Sequence, residues 1–119
     1  MAVRAHQPLL LFFSLADCPY CAGVRSQYLG PMTQDAGQTR RALIRELPIE
    51  ATLTDFDGAR KPAQEIAARY KVTVFPTIVM VNAQGAQIAD PLVGFSSPDF
   101  YGGLLDGRID AANQKLQPH

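Results

Sequence analysis

Two cysteines three positions apart stand where one hydrophobic period gives way to another, and that junction limits what this chain can become. Pro8-Leu-Leu-Leu-Phe-Phe-Ser-Leu-Ala16 is a continuous, mostly apolar run bounded by Pro8 and Asp17. Such a run reads as a strand buried on both faces. Asp17-Cys18-Pro19-Tyr20-Cys21 follows directly, and from there Cys21, Val24, Tyr28 and Met32 recur at three- and four-residue steps. That is the period of a helix carrying Pro19 in its first turn. Both thiols therefore belong at the point where a buried strand becomes a helix.

The remaining segments continue the alternation. Gly30-Pro31 is expected to end or kink the first helix. Residues 33–39 are polar and read as loop or frayed helix end. Ala42 to Ile49 reads as a second strand, although Ala-Leu-Ile-Arg-Glu-Leu would also tolerate a helix. Asp55-Phe-Asp-Gly58 is turn chemistry. Lys61-Pro62 then opens a helix whose Ala63, Ile66, Ala67 and Tyr70 form one apolar stripe. Thr77 to Val81 is a strand ended by Asn82-Ala-Gln-Gly85, a hairpin turn after which Ala86 to Gly94 can pair back antiparallel. Ser97-Pro98-Asp99 is expected to cap a last helix, with Tyr101, Leu104, Leu105, Ile109 and Ala112 at helical spacing. The order β-α-β-α-β-β-α implies an α/β fold, a mixed central sheet of about four strands flanked by helices. A length of 119 residues, with 47% apolar against 18% charged, fits one domain spanning 1–119. Residues 1–7 and 113–119 are expected as flexible ends.

Charge narrows the function. Eleven Lys and Arg offset eleven Asp and Glu, leaving a formal net charge of zero, so no global field gathers phosphate or anionic lipid. Nucleic acid and membrane surfaces are not expected partners. The longest uninterrupted apolar run, Leu9 to Phe13, is five residues, against about 20 for a spanning helix. The opening Met-Ala-Val-Arg-Ala-His has no apolar stretch of the kind a signal peptide carries.

Chemistry is concentrated at Cys18 and Cys21. A helix N-terminus presents unpaired N–H groups and a positive dipole end, and motifs of this kind lower a cysteine pKa from about 8.5 to between about 3.5 and 7.5. Cys18, near the cap, is the expected nucleophile. Cys21, one turn in and on the apolar face, is the expected resolving thiol. Asp17 opposes the helix effect if its carboxylate lies close. A permanent staple between the two would close too small a loop to contribute much. Zinc would need four ligands, and the two histidines, His6 and His119, lie near opposite ends. No metal and no cofactor are expected. Arg40-Arg41 reads as a solvated basic pair at a strand entrance.

Cys18-Pro19-Tyr20-Cys21 after the first strand, Phe75-Pro76-Thr77 before the third and Gly94 shortly before the last helix together resemble the thioredoxin-fold thiol-disulfide oxidoreductases over nearly the whole length. The resemblance implies a cis bond before Pro76 and a place for that proline against the nucleophilic cysteine. It also implies that the backbone of Phe75 pairs with bound substrate. Cys-Pro-Tyr-Cys is the sequence usual in glutaredoxins, but their Gly-Gly-acid signature is replaced here by Gly94-Phe-Ser-Ser-Pro-Asp99. The Trp that precedes the motif in ordinary thioredoxins is Asp17, and their buried Asp corresponds to Phe12, so the usual proton relay is missing. The pattern is most similar to exported bacterial thioredoxin-like proteins, including the small periplasmic thioredoxins found with sulfur-oxidation genes.

What this implies is a monomeric enzyme that exchanges disulfides with protein substrates and is served by an upstream electron donor. It would act as a reductase, in the periplasm, with the cytoplasm as the alternative compartment. A glutathione-dependent glutaredoxin-like enzyme and a non-catalytic interaction module are the competing readings. Tyr20 would either pack on substrate or cover the helix end. With no global charge to steer partners, recognition is expected from an apolar groove around Tyr20, Phe75 and Phe95.

Overall fold

The architecture follows from which faces of one strand must be covered. The computed structural model describes residues 7–95 and 98–116. Strand β1 (Leu9–Ser14) is buried at all six positions. It pairs in parallel with β2 (Leu43–Pro48), from Leu9 opposite Leu43 to Ser14 opposite Pro48. On its other side it pairs antiparallel with β5 (Thr77–Val81), from Leu9 opposite Val81 to Phe13 opposite Thr77. The short β6 (Leu92–Val93) adds antiparallel to β5, giving the sheet order β2-β1-β5-β6.

Because side chains alternate along a strand, β1 feeds two separate cores. Leu10 and Phe12 pack with Cys21, Val24, Tyr101 and Ile109 on one face. Leu9, Leu11 and Phe13 pack with Leu47, Ile66 and Val79 on the other. The first face is covered by α1 (Pro19–Val24), α2 (Gly30–Thr33) and α5 (Pro98–Leu116), and the second by α4 (Ala63–Arg69); α3 (Ala36–Arg41) packs beside α5 and β2. A continuous apolar strand is therefore what a sheet with helices on both faces requires.

The expected element order stands, with four differences. Gly30-Pro31 does not end the first helix. Between α1 and α2 the chain runs through a π-helical stretch, Arg25–Leu29, in which the Gly30 N–H donates to the Arg25 carbonyl. The wide turn carries the helix past Pro31, which has no N–H to offer and would crowd the carbonyl four residues back. Second, 33–39 is not loop throughout: Asp35 accepts from the Gly37 and Gln38 N–H groups and caps α3. Third, β3 (Thr52–Thr54) and β4 (Arg60–Pro62) form a separate hairpin around the Asp55-Phe-Asp-Gly58 turn. At three residues each they are too short for alternation to announce strands. Fourth, α5 continues through Leu116, so 113–116 are helical rather than a flexible end, and the Asn113 amide donates to the Arg41 and Ile109 carbonyls.

Smaller corrections follow from packing. Tyr101, Leu105, Ile109 and Ala112 are buried, while Leu104 is 42% exposed at the edge of that stripe. Between Ala86 and Gly94 only β6 and a bridge from Gln87 to Val81 pair back. Arg41 is only partly solvated: it pairs with Asp106 and Asp110 of α5. His6, Ser97 and His119 lie outside the described residues.

The π turn makes a sharp prediction. A Cβ at Gly30 would sit 2.9 Å from the Arg25 carbonyl oxygen, a backbone atom held by the same turn. Gly to Ala inside a helix ordinarily gains up to about 1 kcal/mol. Gly30→Ala is expected instead to lose about 1–3 kcal/mol, the cost of forcing a methyl into filled space. The midpoint of denaturant unfolding reads the sign directly.

Candidate functional site

The site is built where β1 ends. After Ser14 the chain turns through Leu15, Ala16 and Asp17, the last at φ 52, a left-handed conformation that Asp tolerates better than most side chains. This turn delivers Cys18 to the N-cap of α1 in an extended conformation, φ -113 and ψ 99, with Pro19 at the first helical position. The Ala22 N–H donates to the Cys18 carbonyl at 3.0 Å, and the Cys21 N–H donates to Cys18 Sγ at 3.1 Å. Cys18 Sγ thus takes up one of the free donors at the helix end.

Cys18 and Cys21 are joined in a disulfide, with their Cα atoms 5.1 Å apart. The two differ sharply in exposure. Cys21 is 0% exposed, between Leu10, Phe12 and Val24, while Cys18 is only half-buried. A difference of this kind follows from helical geometry, since the cap residue lies at the surface and the residue one turn in faces the sheet.

The second wall comes from the loop before β5. The Phe75–Pro76 peptide is cis, and Pro76 is buried. The Thr77 hydroxyl donates to the Val74 carbonyl at 2.5 Å, and the Gly94 N–H donates to the Pro76 carbonyl at 2.8 Å. Gly94 itself lies at φ 74, where a side chain would be strained. Cys18, Phe75 and Phe95 all pack against the buried cluster that contains Cys21. The loop before β5, the Gly94 turn and the cysteine motif therefore meet at one end of the sheet.

Aromatic rings line this end. The ring of Tyr20, 62% exposed, lies 6.1 Å from that of Phe95, which in turn stands edge-on to Tyr101 at 4.8 Å. Separations of this size are ordinary attractive ring contacts. Val74 and Val93 are also exposed, so the surface beside Cys18 on this side is apolar. Tyr20 stands at its rim and leaves the disulfide uncovered on the opposite side.

That opposite side holds polar residues that the sequence did not single out. Glu46 of β2 lies opposite Phe12 in register and accepts from the Ser14 hydroxyl at 2.7 Å. It also accepts both the Nε and Nη2 of Arg25, at 2.9 and 2.5 Å. The Arg25 guanidinium beside it holds the Glu46 carboxyl below the usual carboxylate range. Glu50 accepts the Ala16 N–H at 2.8 Å, securing the turn that precedes Cys18. Arg25 follows Cys18 by seven residues and Cys21 by four, a helical stripe visible in the sequence. The Glu46 pairing depends on strand register and is not. Among the described residues no three His, Cys, Asp or Glu are grouped to hold a metal ion.

Comparison with known proteins agrees with this geometry. A family model described as a thioredoxin-like domain matches residues 1–107. The disulfide bond reductase DsbH of Chlamydia pneumoniae is 32% identical over 87 residues, covering 71% of this chain and 51% of that protein. The chain thus spans about half the length of that relative. Among solved structures, the reduced periplasmic thioredoxin SoxS of Paracoccus pantotrophus superposes with a TM-score of 0.61 at 20% identity, over 89% of this chain and 99% of that one. A thioredoxin-fold protein from Helicobacter pylori gives 0.60 at 20% identity, over 93% and 80%. At these identities the structural likeness speaks for the fold.

Proposed function

Because this chain belongs to the thioredoxin-like family, we propose that it is a thiol-disulfide oxidoreductase that reduces protein disulfides through Cys18 and Cys21. The observation that carries this is the pairing, in one disulfide at a helix N-terminus, of a partly exposed Cys18 with a fully buried Cys21. Such a pair can be attacked and re-formed from one side only.

In the forward direction the Cys18 thiolate attacks one sulfur of a substrate disulfide, forming a mixed disulfide and expelling the other sulfur as a thiolate. Cys21 then gives up its proton and attacks Cys18 Sγ. The second substrate thiol leaves and the Cys18–Cys21 disulfide closes. Two electrons have passed from the dithiol to the substrate, and a donor dithiol must restore them. Phe75, Pro76, Thr77 and Gly94 form the wall against which the substrate chain lies, with Tyr20 and Phe95 at its apolar rim. Pro19 fixes the first turn that holds Cys18 at the cap.

The periplasm is the proposed compartment, supported by the fold neighbour SoxS being a periplasmic thioredoxin. The reductase direction is supported by the name of the curated relative, a disulfide bond reductase. No helix among the described residues is long and apolar enough to cross a membrane. The test is the reduction potential of the pair, measured by equilibration with thiol buffers. A reductase is expected nearer thioredoxin's value of about -270 mV, whereas a value near about -120 mV would make the protein an oxidant.

A further inference from the structure

Beside Cys18, on the side away from Tyr20 and Phe95, lies an open cleft of about 530 Å³ lined by Leu15, Asp17, Cys18, Pro19, Ala22 and Arg25, among others. Cys18, Ala22 and Arg25 are spaced at zero, four and seven residues, which places them along one stripe of the helix. Helical side chains lean toward the N-terminus, and Arg25 lines the cleft together with Cys18 and the small Ala22. It is the one cation in this lining.

The state of that guanidinium is unusual for a surface arginine. Two of its nitrogens, Nε and Nη2, are held by Glu46, which is itself tied to Ser14. The carbon at its centre lies 5.8 Å above the Phe12 ring. Nη1 has no partner among the described residues, and the side chain stays 47% exposed. A guanidinium carries five N–H donors in a rigid fork. Fixed on one edge and open on the other, it is preorganised to accept a second carboxylate without losing further side-chain freedom.

We propose that this cleft is a substrate subsite in which Arg25 Nη1 binds an acidic side chain two or three residues from the target cysteine. The assignment rests on the disulfide-exchange reading above and adds the sequence context that Cys18 prefers. Two features set the spacing. Seven helical residues at about 1.5 Å each separate Cys18 from Arg25 by roughly 10 Å, shortened by the backward lean of the side chain. An extended substrate advances about 3.3 Å per residue. Asp17, at the near end of the cleft, repels an acid placed directly beside the cysteine and so reinforces selection at the farther position. With a net charge of zero, this is short-range selection rather than steering by a global field.

The experiment measures the rate at which the reduced full chain reduces disulfide-linked peptides carrying Glu, Gln or Lys at the second and third positions from the cysteine. The wild type is expected to prefer Glu over Lys by about fivefold, the range of a partly exposed charge pair. Arg25→Gln brings that ratio to about one, whereas Glu46→Gln, which releases the held edge but keeps the guanidinium charge, lowers the preference without abolishing it. Equal rates for all peptides in the wild type, a ratio indifferent to Arg25→Gln, or equal loss in both variants would each overturn the subsite. Failure to reduce any of the peptides would instead overturn the exchange activity on which it rests.

Discussion

Cys21→Ser is expected to convert a transient mixed disulfide into a stable covalent complex between Cys18 and its partner proteins, while Cys18→Ser traps none. The asymmetry comes from position. Cys18 Sγ sits at the helix cap, half-buried, and accepts the Cys21 N–H at 3.1 Å, an interaction that strengthens when the sulfur carries a negative charge. Cys21 is 0% exposed, so no substrate sulfur can approach it without opening the core in which it is buried. Once a partner is bound to Cys18, however, Cys21 lies across a Cα separation of only 5.1 Å, and attack from within the same chain is far faster than attack by a free thiol. Removing the resolving sulfur leaves only uncatalysed exchange, which takes minutes to hours. Non-reducing electrophoresis and mass spectrometry of the Cys21→Ser variant would read the complexes and the linked residue. Equal trapping by both variants would overturn the roles assigned to the two thiols, and trapping by Cys18→Ser alone would exchange them.

The parts of this molecule legible in its sequence are those set by short-range pattern. The two-faced apolar run gave β1, the change of period placed the helix, and the two thiols lie at the junction between them. The hairpin turn at Asn82–Gly85 was equally visible, because Gly85, at φ 87, is where such a turn needs glycine. What escaped depends on long-range register or on backbone geometry. Glu46 and Arg25 are 21 residues apart, and no local rule pairs them; β1 and β2 must align before Glu46 is carried to Ser14. The short helix that Asp35 caps is mostly polar, so it offered no apolar stripe to suggest a helix. The π stretch before Pro31 could be foreseen only as some disturbance of the helix. Tyr101 is a further case: its position on the apolar stripe was plain, but its hydroxyl is buried without a partner among the described residues, and burial pushes that phenol well above its usual range.

Arg69→Met is expected to destabilise the protein by about 3 kcal/mol at neutral pH, and Asp55→Asn by about 2 kcal/mol, because the first strands a buried charge and the second removes one. Asp55 is 4% exposed, in the turn between β3 and β4. Arg69, at the end of α4, grips both its oxygens, and the Lys61 ammonium donates to it at 2.7 Å. The Phe56 N–H adds a fourth donor at 2.8 Å. The Arg69 guanidinium, followed by Lys61, holds the Asp55 carboxyl far below the usual carboxylate range, against the opposing effect of burial. Without Arg69 the carboxylate keeps only Lys61 and one backbone donor in a site largely closed to water. Without the Asp55 charge, Arg69 and Lys61 can turn outward, since their side chains are already 38% and 24% exposed. The pH dependence follows from the depressed value. A carboxyl whose folded pKa lies below its unfolded value, about 3.9, stabilises the fold above that pH and loses its contribution as pH falls further. The wild type and Asp55→Asn are therefore expected to differ most at neutral pH and to converge as pH drops below about 4. Denaturant unfolding at a series of pH values measures this, and parallel curves across the acid range would show that Asp55 is not the group responsible. The consequence reaches the site through the chain itself, because α4 ends at Arg69 and the segment that follows carries Phe75 and Pro76 to the wall beside Cys18. Anchoring Arg69 to the hairpin fixes one end of that segment, and β5 fixes the other.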